Sequence, residues 1–349
     1  MRPGDRFDRY VIERVLGEGG MATVYLGRHE TLQSAHALKV LRVDVPEIKR
    51  RLMAEGRVQS GIRHPNVVAV TDILDTQQGV ALVMEFVDGP ALDEYQDGRP
   101  LPVDEALELF RGIVLGVGEA HRVGVVHRDL KTANVLLHHT SNAGVIPKVT
   151  DFGLVKVFES SGTKSGVTMG TPEYMSPEQV RDSAKVDPRS DLWSLGVILY
   201  EMLTGDVPFD GDDMLEIYNA IAKARFVPLR ELCPEAPRWV DQLVSDLLVV
   251  DPDARIQNAE EILARLDRPA STPVAPSSPP SADVLPLSSS FPATLALALV
   301  GAGFMFLALG GVMLALLFAN TPAVPASREV VLAVTGLPEG TERVVRVDG

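Results

Sequence analysis

The sequence predicts an α+β chain in two lobes, a small β-rich lobe followed by a larger helical one, with one transmembrane helix near the C-terminus. Three observations carry this expectation. Strand-like runs crowd the chain up to Phe86. Helical periodicity dominates from Val103 onward. Residues 293–319 carry no charged side chain.

Residues 11–16, 23–27 and 35–41 read as short strands, and a glycine-rich turn joins the first two. Residues 46–61 have helical character, and residues 80–86 form an apolar strand. Beyond them Ala106, Leu107, Phe110, Ile113, Val114 and Val117 recur at three- and four-residue spacing, the signature of a helix with one buried face. The expected two-lobed unit spans residues 9–267. Residues 268–292 are rich in Pro, Ser and Ala, with Asp283 the only charge after Arg268. Such a stretch cannot bury enough apolar surface to fold and reads as a linker. Residues 293–319, at ~1.5 Å rise per residue, can cross a ~30 Å hydrocarbon layer with some tilt. Residues 320–349 form a short tail whose two β-like runs suggest a hairpin fragment.

The 349 residues carry a net charge of −14. Only three Arg and five acidic residues follow Pro269, so most of that charge lies on the two-lobed unit. An acidic surface argues against nucleic acid as a partner, because phosphate backbones require a basic face. The one cysteine, Cys233, excludes an intrachain disulfide. Residues 1–10 lack an apolar run, so no secretory leader is expected.

Four motifs carry chemistry. Leu16-Gly17-Glu18-Gly19-Gly20-Met21-Ala22-Thr23-Val24 is a glycine-rich turn, and glycine lets backbone N–H groups approach phosphate oxygens. A strand follows it, which excludes a dinucleotide-binding fingerprint. Lys39 lies in the apolar run Ala37-Leu38-Lys39 and needs a counter-charge, for which Glu55 on the next helix is the candidate. His127-Arg128-Asp129-Leu130-Lys131-Thr132-Ala133-Asn134 puts three polar groups on one loop. Asp129 can accept a proton from a hydroxyl, Lys131 can neutralise a phosphoryl group, and Asn134 can offer an amide oxygen to a hard cation. Asp151-Phe152-Gly153 adds a second oxygen ligand, Asp151. A strand-end lysine or a glycine hairpin alone would be ordinary; the four in this order are not a chance set.

Together they resemble the eukaryotic-type (Hanks-type) protein kinase family, most closely its bacterial membrane-anchored Ser/Thr branch, from Arg9 to about Leu266. Further marks are His64-Pro65-Asn66, Gly170-Thr171-Pro172-Glu173-Tyr174, Ser176-Pro177-Glu178, Asp191-Leu192-Trp193 and Asp251-Pro252-Asp253-Ala254-Arg255. The match departs at Ala22, where the family has its third glycine. The resemblance implies ATP and Mg²⁺ (or Mn²⁺) and transfer of the γ-phosphoryl group to Ser/Thr hydroxyls of proteins. It implies adenine between Leu16, Val24, Ala37 and Leu136, beside Met84, with the Glu85 to Val87 backbone as hinge. It pairs Glu178 with Arg255 and sets Asp191 to brace the catalytic loop. It also implies that Arg128 receives a phosphate on the activation segment, for which Thr163 and Thr168 are the preferred sites. A cytoplasmic kinase domain, an outer C-terminus and a homodimer through the membrane helix or small lobe are the remaining expectations. Three other readings stay open here, one of them a receptor whose outer residues 320–349 bind a ligand, for which thirty residues are short. A pseudokinase would have lost Lys39, Asp129 or Asp151, and a small-molecule phosphotransferase would lack Ser176-Pro177-Glu178.

Overall fold

The computed structural model describes residues 1–19, 22–41, 46–140, 144–152, 172–182 and 186–267. The side chains of residues 47, 48, 51 and 55 are not among the described parts. The first lobe is an antiparallel sheet of β1 (Arg6–Phe7), β2 (Tyr10–Glu18), β3 (Ala22–His29), β4 (Ala35–Leu41), β5 (Val70–Thr76) and β6 (Gly79–Glu85), in the order β1-β2-β3-β4-β6-β5. Helix α1 (Pro46–Gln59) connects β4 to the second half of the sheet.

Period-two alternation sorts the sheet's side chains onto two faces. Val80, Leu82 and Met84 join Ala22, Ala37 and Val70 in one apolar cluster, with Leu52 of α1. Ala81 and Val83, the intervening residues, join Phe7, Tyr10, Ile12, Tyr25, Leu38 and Val40 in another. The unbroken apolar run of β6 therefore marks a strand covered on both faces.

The second lobe holds α2 (Leu92–Gln96), α3 (Val103–Arg122), the hairpin β7 (Val135–Thr140) and β8 (Gly144–Val149), α4 (Pro177–Arg181), α5 (Pro188–Thr204), α6 (Met214–Ala222), α7 (Leu229–Leu232), α8 (Arg238–Leu247) and α9 (Ala259–Leu266). One large cluster forms its core. Helix α5 runs through the middle: Asp187 caps it by accepting from the Arg189 N–H at 2.8 Å, and its residues from Ser190 to Tyr200 are all buried. It ends at Gly205, whose φ of 88° a side chain would resist. Helix α3 opens with Asp104 and Glu105 and closes with His121 and Arg122, charges that suit the helix dipole. Its Gly112 and Gly116 let it press on the loop before β5: a Cβ at 116 would stand 2.5 Å from the Asn66 carbonyl oxygen.

The periodicity reading misses β1, β5, β7 and β8, which are short or mix polar residues with apolar ones. Among the described residues no helix is long and apolar enough to cross a membrane. The linker 268–292, the expected span 293–319 and the tail 320–349 lie outside the described residues.

Candidate active site

The expected adenine-lining residues come together where the sheet meets the second lobe. Ala22, Ala37, Met84 and Val87 are buried in one cluster, and Leu16, Val24 and Leu136 lie half-buried against it. Pairing explains the convergence: Ala37 stands opposite Met84, and Val24 opposite Lys39. Gly17, Glu18 and Thr23 belong to the β2–β3 hairpin, with Gly17 opposite Val24 and Glu18 opposite Thr23. Gly19 donates its N–H to the Ala22 carbonyl at 2.9 Å. Gly20 and Met21 lie outside the described residues. Leu136 reaches the cleft from β7, where it pairs with Ala91 just past the hinge. The hinge itself is fastened by an ion pair, Lys148 Nζ to Glu85 Oε1 at 3.0 Å.

Lys39 points across the cleft to Asp151, with Nζ 2.8 Å from Oδ1. Burial alone would push the Asp151 carboxyl up, but the charge and hydrogen bond of Lys39, with His127 and Lys131 nearby, hold it below the ordinary carboxylate range. Glu55 sits on α1, but its side chain lies outside the described residues, as do Gly153 and Thr171. Asp151 has a φ of 65° and Arg128 a φ of 70°. A non-glycine residue in that left-handed region costs roughly 1–2 kcal/mol and persists only where its surroundings hold it.

Those surroundings are visible. Asp191, buried at the start of α5, accepts from the backbone N–H groups of His127 at 2.8 Å and Arg128 at 2.9 Å. His121 at the end of α3 adds a third contact to Asp191 at 2.7 Å. The His127 ring reaches the Thr150 carbonyl at 2.8 Å and lies against Phe152 with centroids 4.7 Å apart. Gln59 of α1 donates to the Phe152 carbonyl. Asp129 therefore emerges from a loop pinned on both sides. Its carboxylate lies 3.5 Å from Lys131 Nζ. Asn134 donates its amide N–H to the Asp129 carbonyl at 2.6 Å, which turns its amide oxygen to other use.

Two side chains thus offer oxygen, Asn134 beside Asp129 and Asp151 beside Lys39. That donor set would suit a hard divalent cation. Among the described residues no group of three or more His, Cys, Asp or Glu side chains could hold a metal.

Past residues 153–171, where Thr163 and Thr168 fall outside the described residues, the chain is fastened again. Glu178 takes a bidentate pair from Arg255 at 2.8 and 3.0 Å, and the Arg255 side chain is completely buried. Burial would raise the Glu178 carboxyl, but Arg255 and Ser190 hold it low. Sequence reasoning passes over a second fastening. Tyr174 donates to Glu201 at 2.6 Å, and Thr132 on the catalytic loop lies 3.0 Å from the Tyr174 hydroxyl and 3.3 Å from Glu201. No spacing rule links residues 132, 174 and 201, so only the fold could reveal them.

Comparison with known proteins places the chain in a family. A family model described as "protein kinase domain" matches residues 10–265. The chain belongs to the protein kinase family. Its relatives include a serine/threonine-protein kinase, pkn2, of Myxococcus xanthus, 38% identical over 73% of this chain and 31% of that protein. PrkC of Bacillus subtilis, also named a serine/threonine-protein kinase, is 36% identical over 73% of this chain and 40% of that protein. The chain thus aligns with less than half the length of these curated relatives. Among solved structures, Rad53 1-466 in complex with AMP-PNP superposes with a TM-score of 0.61 at 27% identity, over 75% of this chain and 65% of that one.

Proposed function

We propose that this protein is an ATP-dependent protein serine/threonine kinase of the bacterial branch. The observation that carries the reading is the assembly of Lys39, Asp129, Lys131, Asn134 and Asp151 around one apolar cleft. Leu16, Val24, Ala37, Met84 and Leu136 enclose the adenine, and the Glu85 to Val87 backbone supplies its polar partners. Lys39 holds the α- and β-phosphates. Asp129 orients the acceptor hydroxyl and takes its proton, while Lys131 offsets charge on the transferred group. Asn134 and Asp151 would hold Mg²⁺, which would supply positive charge to offset that of the phosphates. The pinned loop makes the acceleration mainly one of positioning and charge stabilisation.

The test is transfer of labelled phosphate from ATP with Mg²⁺ by the full chain, beside Asp129→Asn. We expect label on Ser/Thr that the variant loses. A folded protein that binds ATP but transfers nothing to itself or to generic proteins would favour the pseudokinase reading.

The same reading extends to regulation and placement. Autophosphorylation at Thr163 or Thr168 activates the enzyme by pairing with Arg128, and the double Ala variant should lose most activity. Residues 293–319 anchor the chain as a single-pass membrane protein with the kinase domain in the cytoplasm; release into the soluble fraction without detergent would refute this. A homodimer would make autophosphorylation depend on concentration.

A further inference from the structure

Gln179 follows the Ser176-Pro177-Glu178 element, and its side chain makes contacts in two directions. Its Oε1 accepts from the Ser176 N–H at 3.0 Å and lies 3.1 Å from the Ser176 hydroxyl, closing the capping box of α4. Its Nε2 donates to the Arg128 carbonyl at 2.8 Å, across a sequence separation of 51 residues. The two partners fix the amide orientation, because a backbone N–H can only donate and a carbonyl can only accept.

The Arg128 carbonyl belongs to the peptide that joins Arg128 to Asp129. Arg128 itself is left-handed, with φ of 70°. Its N–H is held by Asp191 and its carbonyl by Gln179, so the residue is clamped at both ends. The other end of that peptide, the Asp129 N–H, has only a long contact to His127 Nδ1 at 3.3 Å, so without Gln179 the plane is held weakly and the start of Asp129 can shift with it. Helix α4 is meanwhile anchored through Glu178 to Arg255.

We infer that Gln179 is a positioning residue for phosphoryl transfer, tying the anchored end of the activation segment to the backbone that aims Asp129. It touches neither ATP nor the reacting atoms, so it acts on kcat rather than on nucleotide affinity. The inference rests on the kinase reading above, and its test separates the two.

Gln179→Glu retains an oxygen for the Ser176 N–H but sets a second oxygen against the Arg128 carbonyl. Gln179→Met removes both contacts. In the full chain, we expect either change to lower kcat for a protein substrate about ten- to a hundredfold, since small misplacements of catalytic groups carry losses of that order. KM for ATP and the melting temperature of Gln179→Glu should stay near wild type. Asn258→Ala, which removes the side-chain cap of α9 and leaves every contact of Gln179 in place, should lower the melting temperature and leave kcat unchanged. A wild-type kcat in Gln179→Glu would overturn the inference and leave Gln179 a helix cap. Wild-type protein that transfers no phosphate would instead overturn the kinase reading.

Discussion

At the residue scale, the site is built from side chains that would be unstable alone and are held by partners. Asp129→Asn removes the proton acceptor and leaves the loop's backbone contacts intact. We expect phosphoryl transfer to fall by about 10²–10⁴, with binding of a non-hydrolysable ATP analogue retained, as titration of the variant would show. Glu201 supports a pH prediction. Burial raises its carboxyl to about 7, with Asp93 and Asp206 adding and the hydrogen bonds of Tyr174 and Thr132 opposing. An unfolded glutamate titrates near 4.5. Between those values the folded chain holds a proton that the unfolded chain has lost, so this residue's contribution to stability falls as pH rises from about 4.5 to 7. Glu201→Gln keeps an acceptor for Tyr174 and removes the titration. Urea denaturation across that range should show a flatter profile, with a gain above pH 7 of up to about 3 kcal/mol.

At the element scale, close approach and caps set the positions of the catalytic loop's supports. Gly116→Ala would drive a methyl group into the Asn66 backbone, against a carbonyl that cannot swing away like a flexible side chain. We expect a loss of roughly 1–3 kcal/mol, read by thermal or chemical denaturation. The Glu178–Arg255 pair joins α4 to the loop before α9. Glu178→Ala leaves a completely buried guanidinium without its carboxylate. That change should cost roughly 3–5 kcal/mol, more than any exposed ion pair such as Arg99 with Asp97. A loss under about 1 kcal/mol would mean that the Val249 and Arg189 carbonyls, which Arg255 also contacts, suffice.

At the scale of the whole molecule, the cleft between the sheet and the helical lobe couples ligand binding to stability. Lys39 belongs to one lobe and Asp151 to the other, and nucleotide phosphates would enter the space they share. Any ligand that binds only the folded form stabilises it by RT ln(1 + [L]/Kd), about 2.7 kcal/mol at a hundred times Kd. An ATP analogue with Mg²⁺ should therefore raise the melting temperature, and Asp151→Asn should remove most of the part that requires Mg²⁺. An equal shift in wild type and variant would take Asp151 out of the metal site.

The two-lobed order was legible because strands and helices leave different marks: short runs such as β4 in the first lobe, three- and four-residue apolar spacing in α3. The candidate site residues were legible because the proposed chemistry demands short contiguous motifs. Glycines must follow one another to bare a backbone, and Asp129, Lys131 and Asn134 fall within one loop of the sequence. Lys39 meeting Asp151, Thr132 meeting Tyr174 and Glu201, and Gln179 reaching the Arg128 carbonyl were not legible in that way. Ser176 and Gln179 do show the spacing of a capping box, which predicts the contact within α4, but no local rule predicts the contact 51 residues away. Local pattern determined which groups are present and which element carries each. Only the packing of α5 beneath the loop, with Asp191 holding two backbone N–H groups, decided where those groups point, because long-range hydrogen bonds depend on distances that no sequence spacing encodes.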